Sequence, residues 1–166
     1  MPTPTPTPIP EPQLETLETD DGGNITEEVW KDYAGNPVEV NGYTVHRMTW
    51  SKKKLVSETF CDAAGQPVTI GDNWATIRYT YDGIGNVNRI KYFDTNDQPV
   101  LCRDGYSIVY REFDSYNRVI YEKFFGTDGF AIMLPSGIVS WRYEYDDNGA
   151  LTQTTGYDFA DKQVTP

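Results

Sequence analysis

The sequence predicts an all-β fold of consecutive antiparallel hairpins, and three observations lead there. Strings of the form Asp-x-x-Gly, Asn or Asp recur, and from Asp62 onward their spacings alternate 20 and 12 residues. The stretches between them are rich in aromatic and β-branched residues that alternate with polar ones. No helical period survives after residue 35.

The turn strings are Asp32–Gly35, Asp62–Gly65, Asp82–Gly85, Asp94–Asp97, Asp114–Asn117, Asp146–Gly149 and Asp158–Asp161, with Gly126–Gly129 filling a gap in register. An Asp in the first position accepts hydrogen bonds from amides further along the turn, and Gly or Asn in the fourth tolerates a left-handed backbone. The two spacings sum to a 32-residue repeat. The first repeat is slightly shorter and has Ser51–Lys54 in the corresponding place. A further turn sits inside each 20-residue arm, at Asn41-Gly42, Asp72-Asn73, Asp104-Gly105 and Ser136-Gly137, where two-residue hairpin loops are expected.

Three strands per repeat follow from three turns. A short one starts at proline (Pro37-Val38, Pro67-Val68, Pro99-Val100), as suits a strand's first residue. A long one reads YTVHRMTW, WATIRYTY, YSIVYREF and IVSWRYEY, and a third reads LVSETFC, VNRIKYF, VIYEKFF and LTQTTGY. About four such repeats are expected to stack into a solenoid-like or single-layer twisted array. Alternation sets His46, Met48 and Trp50 on one side of the long strand and Tyr43, Trp74 and Tyr106 on the other.

Residues 1–25 precede this pattern. Six of the first twelve residues are proline, which predicts an extended spacer, and Glu11 to Asp21 is acidic and poor in aromatics. The repeat domain is therefore expected over 26–166, with room for one helical turn in ITEEVW.

Composition narrows the function. The net charge is −11, so nucleic-acid binding lacks its basic footprint. No apolar run is long enough to span a membrane, and no apolar signal-peptide core follows Met1. The chain is thus either cytosolic or a piece of a longer exported precursor. Cys61 and Cys102 fall in different strand columns and are expected as free thiols, and no zinc spacing occurs.

The string Tyr-Asp-x-x-Gly-x-Val/Leu stands at Tyr81-Asp82…Gly85…Val87 and Tyr145-Asp146…Gly149…Leu151, with a variant at Phe113-Asp114…Asn117…Val119. It resembles the YD (RHS-like) repeats of bacterial secreted and cell-surface proteins, over roughly residues 30–160. The resemblance implies a non-catalytic stalk or adhesive module, placed outside the cell, with cell-wall glycan or another surface protein as partner. A purely structural spacer or a protein-binding module is the alternative. No cofactor is expected, and an isolated module is expected to be monomeric.

Candidate sites are few. His46 is the single histidine, lacks a nucleophile motif beside it, and reads as structural. Glu112 and Glu144 share a column, but Arg111 and Arg142 stand next to them in sequence to neutralise them. Asp94, Asp97, Asp146 and Asp147 offer oxygen ligands for calcium, although one turn supplies too few for that ion. Tyr43, Trp74 and Tyr106 follow hairpin turns and recur in register. They either present flat faces to sugars or quaternary amines, or pack between repeats, and packing is the weightier reading.

Overall fold

A computed structural model of the chain describes residues 1–165. Residues 20–23 and the other corners fold it into eleven strands in chain order: β1 (Gln13–Thr19), β2 (Ile25–Lys31), β3 (Val45–Ser51), β4 (Lys54–Cys61), β5 (Thr76–Tyr81), β6 (Val87–Phe93), β7 (Ile108–Phe113), β8 (Val119–Phe125), β9 (Ser140–Tyr145), β10 (Leu151–Tyr157) and β11 (Gln163–Val164). All lie in one antiparallel sheet whose spatial order equals sequence order, and the sheet is not closed. Among the described residues there is no helix, hence none able to cross a membrane.

The acidic corners work as the sequence indicates. Asp62 Oδ1 accepts the amides of Ala64 and Gln66, each at 2.9 Å. The same pair of bonds recurs at Asp32, Asp82, Asp94, Asp114, Asp146 and Asp158. The fourth residue is left-handed throughout, and at Asp97, Asn117 and Asp161 it is not glycine. Asn and Asp bear that conformation better than other side chains.

One such corner lies inside the stretch read as linker. Asp20 Oδ1 accepts the amides of Gly22 and Asn24, and the Asn24 side chain returns a bond to Asp20 Oδ2. This corner joins β1 to β2, so the sheet starts at Gln13 rather than Thr26, and ITEEVW is strand instead of a helical turn. Its acidic composition hid it: Glu15 and Glu18 are solvated edge residues, not a sign of disorder.

The three-strand expectation also changes. Each repeat has two strands, and the proline-led segment makes only a bridge: Lys31↔Pro37, Cys61↔Pro67, Phe93↔Pro99 and Phe125↔Ala131. The next residue donates one more bond, as Val68 does to the Phe60 carbonyl at 2.9 Å. Proline has no amide to continue the ladder. Of the inner turns, only Asn41-Gly42 has both central residues left-handed, as a two-residue loop requires. At Asn73, Gly105 and Gly137 a single left-handed residue closes a wider loop, with bonds such as Ile70 N to Trp74 O and Asn73 N to Ile70 O.

Short corners therefore line one rim of the sheet and long loops the other. Burial concentrates along the loop rim, at Val45, Cys61, Ala75, Thr76, Phe93, Cys102, Ser107, Val109, Ile138 and Val139, with both cysteines free. On the corner rim, each hairpin from β3–β4 to β9–β10 has one unpaired bulge residue (Val56, Asn88, Ile120, Thr152), 32 residues apart. There Trp50 Nε1 donates to the Ile25 carbonyl, and the Tyr81 and Tyr145 hydroxyls donate to those of Leu55 and Val119, at 2.6–2.7 Å. These bonds tie the β3–β4, β5–β6 and β9–β10 hairpins each to the previous one.

Phe113 occupies the same column but carries no hydroxyl. Phe113→Tyr is expected to place a donor near the Val87 carbonyl and stabilise the fold by about 1 kcal/mol. A urea midpoint that falls, with unchanged slope, would contradict this.

Candidate functional site

Two columns of residues meet on one face of the sheet. Trp30, Phe60, Tyr92 and Phe124 stand one residue before the ends of β2, β4, β6 and β8, and Tyr43, Trp74 and Tyr106 lie two residues before β3, β5 and β7. Their rings interleave into one ladder: Trp30–Tyr43 (6.5 Å between centroids), Tyr43–Phe60 (4.7 Å), Phe60–Trp74 (5.4 Å), Trp74–Tyr92 (5.8 Å), Tyr92–Tyr106 (5.9 Å) and Tyr106–Phe124 (4.8 Å). Most steps are edge-on or tilted, as ring quadrupoles favour.

Alternation alone set Tyr43, Trp74 and Tyr106 on the side opposite His46. The structure brings Tyr43 to 6.2 Å from His46, because regular strand begins only at Val45 and the chain bends before it. Trp74 is buried at 8 % exposure, while Tyr43 and Tyr106 are partly exposed. Burial, with the Tyr92 phenol alongside, raises the Tyr106 pKa far above that of a free tyrosine, so its hydroxyl stays neutral.

Polar brackets run beside the ladder. Glu58 accepts from Tyr79 Oη at 2.6 Å and lies 2.9 Å from His46 Nε2, with Glu28 3.5 Å from His46 Nδ1. The His46 ring also stacks on Phe60, with centroids 4.6 Å apart. Burial pushes Glu58 up, but the bonds from His46 and Tyr79 outweigh it and hold the carboxyl below its usual range. Glu122, 64 positions later, repeats the bracket with Arg111 Nε at 2.9 Å and Tyr143 Oη at 2.5 Å. Burial and Glu122 together raise the Tyr143 phenol. Arg111 thus serves Glu122, not Glu112 as sequence adjacency suggested. Arg142 lies over the Tyr121 and Tyr157 rings on the other face.

The last repeat interrupts the ladder. Ile138 replaces a ring in one column and Gly156 in the other. Gly156 pairs directly with Trp141, in the place where His46, Ile77 and Val109 pair with Phe60, Tyr92 and Phe124. A Cβ on Gly156 would overlap Ile138 Cδ1 and lie 3.1 Å from Trp141 Cζ3. The ring has moved across the strand pair, from β10 to β9.

Beside this break opens a groove of about 550 Å³, lined by Tyr106, Phe124, Trp141 and Tyr143 from the sheet face and by Arg103, Asp104, Pro135 and Ser136 from two loops. Arg103 is held by its amide to the Asp72 carbonyl and by its guanidinium to that of Gly71. Tyr106 thus belongs both to the ladder and to the groove. Trp141 was missed in the sequence because it stands in a column otherwise filled by His, Ile and Val. The missing ring at Gly156 was the available signal.

Two of the four acidic candidates are occupied by the backbone. Asp94 and Asp146 each spend Oδ1 on two turn amides, and Asp97 pairs with Arg78 at 2.5 Å. Asp147 borders a second groove with Tyr116, Arg118 and Tyr145. Among the described residues, no three His, Cys, Asp or Glu side chains are arranged to hold a metal ion.

Two outcomes follow. Gly156→Phe is expected to destabilise by about 1–3 kcal/mol, and Trp141→Val added to it should recover part of the loss, as a double-mutant cycle in urea would read. Strict additivity would exclude the exchange of ring positions. A carboxyl lowered by folding stabilises above its unfolded pKa, and this contribution fades as pH falls through the folded value. Glu58→Gln should therefore lower stability near neutrality and flatten the acid limb of a stability–pH profile. An acid limb that superposes on the parent's would refute this. Compared with known proteins, the chain matches no family model and no curated sequence.

Proposed function

We propose that this chain is a non-catalytic hairpin-repeat module of the YD/RHS-like kind, carried by a secreted or surface-displayed bacterial protein, and that it binds glycan. The observation that carries the reading is the groove at Tyr106, Phe124 and Trp141. Aromatic faces suit the C–H side of a sugar ring, while a few convergent polar groups orient its hydroxyls. Asp104, Ser136 and Arg103 stand at the edge in that role, and the carboxylate of Glu122 is prealigned by Arg111 and Tyr143.

The groove is shallow and open, so a single site binds weakly, and display of several modules would raise the effective affinity. The proline-rich residues 1–12 carry no secondary structure and suit a stalk that holds the sheet away from its anchor. The runner-up is a pure spacer, favoured by the ladder, which uses its recurrent rings for packing.

A glycan array, followed by titration of any hit against Trp141 fluorescence, tests the reading. Trp141→Ala, with the fold checked by circular dichroism, should weaken binding at least about tenfold, the scale of a lost aromatic contact. Arg78→Ala on the opposite face should leave it unchanged. Silence across the array, or binding indifferent to Trp141, would favour the spacer.

A further inference from the structure

We propose that copies of this chain join head to tail, with the outer edge of β10 taking β1 of a second copy as its next strand. The argument begins with the junctions inside the chain. Each hairpin meets the next through only three pairs: Ser57↔Arg78, Glu58↔Ile77 and Thr59↔Thr76; then Arg89↔Tyr110, Ile90↔Val109 and Lys91↔Ile108; then Tyr121↔Arg142, Glu122↔Trp141 and Lys123↔Ser140. One more bond closes each, from the amides of Phe60, Tyr92 and Phe124 to the carbonyls of Ala75, Ser107 and Val139.

The two ends of the sheet carry the two halves of this junction. β10 is the second strand of its hairpin, and among the described residues only Gly156 and Tyr157 are paired on its outer side. Gln153, Thr154 and Thr155 stand 32 residues beyond Tyr121, Glu122 and Lys123 and, among the described residues, have no strand partner there. β1 is the first strand of its hairpin, and its outer edge is likewise open. In the β1–β2 register, Gln13, Leu14 and Glu15 face Lys31, Trp30 and Val29, as Val45, His46 and Arg47 face Cys61, Phe60 and Thr59. Continuing the internal register sets Gln153 opposite Glu15, Thr154 opposite Leu14 and Thr155 opposite Gln13.

The details fit. Pro12 falls where Thr44, Ala75, Ser107 and Val139 give a carbonyl to the preceding hairpin; their amides bond within their own hairpin, so proline forgoes that bond but keeps the carbonyl the junction needs. β11 does not obstruct, since Tyr157↔Gln163 repeats the Cys61↔Pro67 and Phe93↔Pro99 bridges, which coexist with internal junctions. The exposed stretch Leu151–Thr154 has no charge, proline or inward-turned cation, the devices that usually keep a strand edge from pairing. Leu14, 40 % exposed, would gain cover. Such a contact uses different surfaces on the two copies, so each added copy presents a fresh edge to the next. Three pairs without an aromatic step make it weak and concentration-dependent.

Sedimentation velocity from about 10 µM to about 1 mM, concentrations at which a weak interface becomes populated, tests the proposal. Weight-average sedimentation should rise with concentration. Alternation directs the Thr154 amide outward, two residues before Gly156, so Thr154→Pro should abolish the rise. Gln153 is exposed, and its replacement should leave the fold intact. Gln153→Arg, set against Glu15, should tighten association and Gln153→Glu should loosen it, each by about two- to fivefold. Sedimentation independent of concentration, or association indifferent to both Gln153 variants, would overturn the proposal.

Discussion

An aspartate side chain that folds back on its own backbone is the constraint from which this sheet grows. At each aspartate-led corner one carboxylate oxygen takes two amides, for example those of Ala64 and Gln66 at Asp62. The turn is thereby closed by bonds between residues two and four apart in sequence, without help from distant parts of the chain. Because the corners recur at fixed intervals, the strands between them have fixed lengths. Only neighbouring hairpins can pair, and strand order follows chain order. The β3–β4 hairpin shows the limits of the device. It lacks the aspartate and turns instead through Lys52, left-handed at φ 58°, with Ser51 paired to Lys54.

A single sheet without a covering layer must find its apolar burial within its own surface. It does so along the loop rim, where rings from successive repeats interleave and the inner loops close over the strand ends. Adjacent loops also grip one another, as Asn73 does the Leu101 carbonyl at 2.8 Å. The opposite face is held more loosely, by guanidinium groups on rings, such as Arg78 4.1 Å from the Phe93 centroid. Such contacts contribute about 0.5–1 kcal/mol where exposed and up to about 2 kcal/mol where the ring is covered, as Phe93 is.

The same economy explains where a binding surface arises. Wherever the ladder is complete, each ring covers its neighbours and little is left for a ligand. At Ile138 and Gly156 the series breaks, Trp141 crosses over to fill part of the space, and a groove remains between two loops. The bracket beneath it keeps a carboxylate in place at no cost in free rotation. Structural repetition and the candidate site thus share residues, with Tyr106 and Glu122 serving both.

Sequence by itself determined the all-β class, the corners from Asp32 onward and the repeat spacing, because these rest on local backbone preferences and on intervals that can be counted. It also marked Tyr43, Trp74 and Tyr106 as a column. Tertiary structure decided which face those rings join, because the bend before Val45 is a property of the junction between hairpins. It decided that Arg111 answers Glu122 across a strand pair rather than its sequence neighbour. It drew Gln13–Thr19 into the sheet, since an acidic edge strand is recognised by its partner's register and not by composition. And it placed Trp141 opposite Gly156, a complementarity between strands that neither residue reveals alone.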